Sequence, residues 1–175
     1  MRILIGLLLW AGIAQSWAEP LQVKPGLWEV TTQSTIRSSG MPDSIKLDKM
    51  TSEKRAQVEK MLAERDKPRT STVRSCLRKE QIDSGSGFTG GQHHQGCTQK
   101  EGLRTAHEWT TDLECSGRAN VAGRIQVKAP DAAHMNLHIE MKTVVGKVER
   151  VTTSEVTSKW LGADCSSLTP PPAKK

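Results

Sequence analysis

Aromatic side chains are scarce in this 175-residue chain, which has no tyrosine, one phenylalanine and five tryptophans. A base-stacking platform needs several rings interleaved with cations, and the 25 lysines and arginines are scattered without them. The net charge of +6 therefore reads as a mildly basic, hydrated surface and excludes a nucleic-acid interface, leaving only weak attraction to anionic envelope surfaces. Cysteine is sparse too. Of the four, no two form a C-x-x-C pair, which argues against a thioredoxin-type redox motif and a zinc ribbon. No G-x-S-x-G nucleophile elbow occurs, and no pair of carboxylates stands out for acid–base work. No apolar run reaches the roughly 20 residues of a bilayer span.

What is present starts with "MRILIGLLLWAGIAQSWAEP". Arg2 gives a positive start, Ile3 to Ala14 are apolar, and Ser16 and Ala18 are small residues at the positions a leader peptidase reads. The pattern predicts a signal peptide over residues 1–18, cut between Ala18 and Glu19. With no cysteine near the cut, lipid attachment is not expected, and the mature chain is read as a soluble periplasmic protein without a membrane span. Removing 18 of 175 residues leaves 157, and removing Arg2 lowers the charge from +6 to about +5. That length suits one domain, residues 19–169, followed by a disordered Pro/Lys tail over 170–175.

Cys76, Cys97, Cys115 and Cys165 all fall in the exported part, so an oxidising compartment predicts two disulfides. Three pairings are open; the reading leans to Cys76–Cys97 with Cys115–Cys165, which would staple the Gly/Ser-rich loop. That loop holds "GGQHHQGC", with His93 and His94 just before Cys97. Neighbouring histidines on extended backbone point apart and suit one metal ion poorly, and a disulfide-bonded Cys97 offers no thiolate. The segment reads as a loop. Gly85, Gly87 and Gly90 of "GSGFTG" match a dinucleotide fingerprint without the strand and helix that the mechanism needs, so no cofactor is implied.

Alternation sets the fold. Trp28, Val30, Thr32, Ser34 and Ile36 share one face of a first strand, introduced by Pro25-Gly26. A helix from about Thr51 to Asp66, capped by Thr51 and ended by Pro68, carries a narrow stripe of Leu47, Met50, Val58, Met61 and Leu62. "RTSTVRSC" reads as a strand and "LRKEQI" as a helical turn. Leu103, Thr105, His107, Trp109, Thr111, Leu113 and Cys115 read as one face of a single strand. Two further strands follow, with Val121, Ile125 and Val127, then Met135, Leu137, Ile139 and Met141, facing inwards, and a last strand runs from about Lys147 to Trp160. The expected architecture is a β-rich α+β domain. It is an antiparallel meander of about six strands, flat or curled to a half-open barrel, with one amphipathic helix across it and two disulfides. His134 and His138 fall on the polar face, roughly 13 Å apart. His107 falls on the dry face beside Trp109, where a hydrogen-bonded core histidine is expected.

The "KPGLWEVTT" start, the "SEKRAQVEKML" helix, "CL" followed by "KEQI", and the "KWLGADC" end resemble an uncharacterised family of small exported Gram-negative proteins, known only as a domain of unknown function. Its more specific motifs fall here on Pro25, Gly26, Leu27, Trp28 and Glu29, and on Trp160, Gly162, Asp164 and Cys165. The resemblance implies a periplasmic, disulfide-bonded, β-rich domain and no activity, cofactor or catalytic residue. The leading expectation is a non-enzymatic binding or envelope-accessory domain, its partner an apolar small molecule held between sheet and helix or an envelope component. The alternatives are a hydrolase using His107 and metal buffering by His93, His94, His134 and His138.

Overall fold

A computed structural model describes residues 19–39, 49–89 and 96–168. The expected leader (1–18), Leu47, the His93–His94 pair and the tail (170–175) lie outside the described residues. Along the chain come β1 (Gly26–Ser39), α1 (Ser52–Arg65), β2 (Arg69–Leu77), α2 (Lys79–Asp83), β3 (Cys97–Arg104), β4 (Glu108–Cys115), β5 (Asn120–Asp131), β6 (His134–Val145) and β7 (Val148–Gly162). The seven strands among the described residues belong to one antiparallel sheet in the order β2-β1-β7-β6-β5-β4-β3. Tight turns dictate the β3-to-β7 meander. Asp131 Oδ1 accepts from the Ala133 N–H at 2.7 Å between β5 and β6, and Gly146 takes φ 59° between β6 and β7. β1 then joins β7 on one side and β2 on the other. Among the described residues no ladder links the edge strands β2 and β3, so the sheet is open and does not close into a barrel.

The sheet has one dry and one wet face, as its period-two pattern requires. On the dry face Trp28, Trp109, Ile125, Val127, Met135, Leu137 and Val156 form one core cluster, with Val30 and Ile139 against it. Ile82 of α2, Phe88 of the loop after it, and Leu21 and Val23 ahead of β1 cover that cluster. The expected helix across the sheet is therefore corrected. α1 forms where the caps place it, with Thr51 Oγ1 accepting from the Lys54 N–H at 3.4 Å, but it buries none of its residues. Its stripe has too little bulk to displace water from the sheet, and Met61 stays 65% exposed.

A second correction concerns the strand read from Leu103 to Cys115. The chain turns at Thr105–His107, and β3 and β4 form a hairpin in which Cys97 faces Cys115 and Lys100 faces Asp112. Thr105 Oγ1 accepts from the N–H groups of His107 and Glu108 at 3.3 and 3.0 Å, closing the turn without glycine or proline. The seventh strand is thus β3, and His107 is an exposed turn residue and not part of the dry face. Its Nδ1 lies 3.2 Å from the Ala129 carbonyl oxygen.

The disulfides are also re-paired: they are Cys76–Cys165 and Cys97–Cys115, in place of Cys76–Cys97 and Cys115–Cys165. Cross-strand register brings Cys97 to Cys115. Leu27 pairs with both Cys76 and Gly162, which sets the end of β2 and the segment after β7 on either side of the start of β1.

Packing on the dry face is tight enough at Gly123 to test. A Cβ there would stand 2.1 Å from Met141 Sδ and 2.7 Å from the Glu140 carbonyl oxygen. The Gly123→Ala variant is expected to lose about 1–3 kcal/mol in urea unfolding. Adding Met141→Ala should recover only part of it, because the Glu140 oxygen is backbone. Full recovery would place the whole strain on the methionine.

Candidate functional site

The two family-like motifs, far apart in sequence, meet at one end of β1. Gly26 adopts φ 131°, and a Cβ on it would lie 2.3 Å from the Gly162 carbonyl oxygen, so only glycine fits between β1 and the end of β7. Trp28, 1% exposed, donates its indole N–H to the Lys24 carbonyl at 3.0 Å. Trp160 donates to the Pro25 carbonyl at 3.1 Å, and Lys24 Nζ stands 4.7 Å from the centre of its ring. Asp164 accepts from both the N–H and the hydroxyl of Ser166, at 2.8 and 2.7 Å, which holds its carboxyl below the usual range and fixes the turn that presents Cys165 to Cys76. Pro25, Gly26, Leu27, Trp28, Trp160, Gly162, Asp164 and Cys165 thus form a structural clasp. Glu29 stands next to it on the wet face, between Arg74 and Lys159. No acid–base or nucleophilic arrangement arises from these groups.

The dry face holds little room. Between Trp28, Leu77, Phe88, Met135, Leu137 and Val156 a cavity of about 90 Å3 remains, against the roughly 300–1,000 Å3 of ordinary ligand sites. Phe88 fills the ground beside it, its ring 5.7 Å from that of Trp109.

The larger recess, about 750 Å3, lies on the wet face over β3 to β6. Register lays Lys100, Asp112, Arg124 and Glu140 side by side on four strands, with alternating charge. Arg124 grips Asp112 through Nε and an Nη at 2.7 and 3.0 Å. One row along, Ala122 sits between Glu114 and Lys142 and leaves the floor low. Lys142 also reaches Glu149 at 2.7 Å, and His138 Nδ1 lies 2.6 Å from Glu155. The arrangement suits a polar partner carrying charges of both signs. Asp112, Arg124 and Glu140 alternate along the chain with inward-facing Thr111, Ile125 and Ile139 and are legible as wet-face residues, whereas Lys100 is not, because β3 has no apolar alternation of its own.

The Arg124 hydrogen bonds hold the Asp112 carboxyl below the usual carboxylate range, with the charges of Arg124 and Lys100 acting in the same direction. A carboxylate depressed in the folded state stabilises it above its unfolded pKa and loses that contribution as pH falls through the folded pKa. Carboxyl NMR titration should therefore find Asp112 low in the wild type and back near its ordinary value in Arg124→Gln. An unshifted Asp112 in both would break the pairing.

Of the remaining histidines, His134 lies 2.9–3.0 Å from Asp131, and His138 faces Glu155. Among the described residues no three His, Cys, Asp or Glu side chains gather as a metal site requires. No helix of the described residues is long and apolar enough to cross a membrane.

A family model described as "Protein of unknown function (DUF3617)" matches residues 23–165, which include both ends of the clasp. An uncharacterized protein in the lpd-3 5' region of Pseudomonas putida is 31% identical over 122 residues, covering 66% of this chain and 85% of that protein. No solved structure matches significantly.

Proposed function

The chain belongs to the DUF3617 family of proteins of unknown function, and from there we propose that it is an exported, periplasmic domain that binds an envelope component without transforming it. Support for export comes from the leader-like residues 1–18 and from the coupling of all four cysteines in two disulfides. The observation that carries the binding reading is the wet-face recess with its cross-strand row Lys100, Asp112, Arg124 and Glu140. An apolar guest the size of a lipid chain is disfavoured, because the domain's own Ile82, Phe88, Leu21 and Val23 fill the dry face. A hydrolase around His107 gains no support from an exposed turn residue whose ring nitrogen faces a backbone carbonyl. Metal buffering gains none from His134 and His138, each held against a separate carboxylate.

Native mass spectrometry of the protein released from the periplasm tests the reading. A polar species should travel with the wild type and be lost from the charge-reversed Arg124→Glu/Lys142→Glu protein. Retention of that species by the variant, or lipid alone at low occupancy, would refute it.

A further inference from the structure

The charges of the wet-face recess are matched in the middle and unmatched at the ends. Arg124 is tied to Asp112, and Lys142 to Glu149, each at 2.7 Å. Lys100 on β3 and Glu140 on β6 close the two ends of the cross-strand row, and neither has an ion-pair partner among the described residues. Three strand spacings part them, about 14 Å. One row along, the floor drops at Ala122 and runs on into a second recess of about 370 Å3, which Val144 also lines.

That layout sorts the classes of guest. A lone anion finds Arg124 and Lys142 already held by carboxylates. The lining offers no indole or phenyl face on which a flat ring could stack. A molecule with one negative and one positive end matches the two open charges. Four extended residues of polypeptide span about 13–14 Å, the separation of those ends. We infer that the recess is a peptide site: it takes a linear peptide of about four residues with free termini, laid across β3 to β6. The carboxylate sits at Lys100, the ammonium at Glu140, and small side chains lie over Ala122. This deepens the binding reading above and rests on it.

Amide NMR titration of the oxidised protein with tetraalanine is the test. The peptide should shift the signals of Lys100, Ala122, Arg124 and Glu140. It should bind about threefold more weakly when either end is capped, by acetylation or by amidation. In Lys100→Gln amidation should cease to matter while acetylation still does, and in Glu140→Gln the reverse. A purely structural role for either side chain would weaken every peptide alike. Equal binding of free and doubly capped tetraalanine would overturn the inference, as would an end preference that survives in its own variant. Tighter binding of dialanine would also overturn it, by moving the ammonium to Glu114 on β4. So would the absence of any shift at the recess. In that event a polar periplasmic species still held through Arg124 and Lys142 would keep the recess as a site for another class of molecule, and loss of both would remove the binding reading itself.

Discussion

Replacing Cys76 and Cys165 together by alanine should cost about 4.5 kcal/mol, the largest loss expected from any single link in this domain. The bridge closes a sequence separation of 89 residues, against 18 for Cys97–Cys115, and loop-closure entropy in the unfolded chain grows with that length. The same reasoning gives about 3 kcal/mol for Cys97→Ala/Cys115→Ala. Net stabilities of such domains are about 5–15 kcal/mol, so the first variant should approach the folding threshold and the second should stay folded. Urea unfolding of the two oxidised variants measures the difference. A smaller loss for the 76–165 pair than for the 97–115 pair would mean that the clasp holds without its covalent tie.

The second large effect is expected at Trp28. Truncation to alanine empties the centre of the dry face between β1, Phe88 and Met135, and should cost about 3–5 kcal/mol. Trp28→Phe separates the contributions. It keeps most of the packed ring and removes the donor to the Lys24 carbonyl, which should cost less than the alanine and include about 1 kcal/mol for the lost hydrogen bond. Trp160→Ala should cost less than Trp28→Ala, since that ring is only partly buried. A Trp160 variant as damaged as the Trp28 variant would move the weight of the clasp to its outer ring.

Much of the fold could be read directly. β1 and β5 to β7 announce themselves by alternation, and α1 by Thr51 and Pro68 at its ends. The β3–β4 hairpin stayed hidden for a specific reason. Leu103, Thr105 and His107 happen to continue the phase of Trp109 and Thr111, and the turn is made by a threonine hydroxyl where a glycine would have marked it. The cysteine pairing then followed the wrong neighbours. With β3 unseen, nothing placed Cys97 opposite Cys115. Cys76 and Cys165 meet through β1 and β7, a long-range adjacency that local pattern does not encode. The helix was located and misplaced, because periodicity reports a stripe and not whether its bulk suffices to dock. For the candidate recess, Asp112, Arg124 and Glu140 lie on legible wet faces and Lys100 does not, and the cross-strand row depends on a register that includes the missing strand.

β1 occupies an interior place in the sheet, yet one of its two neighbours is β7, the last of the described strands, with Leu27 paired to Gly162. A polypeptide that emerges from its amino end therefore carries a half-satisfied ladder until β7 has arrived. Distant pairings of this kind are slow to form. Such delayed assembly leaves the outward amides of β1 open to foreign strands during synthesis, and makes a holding chaperone most useful at that stage.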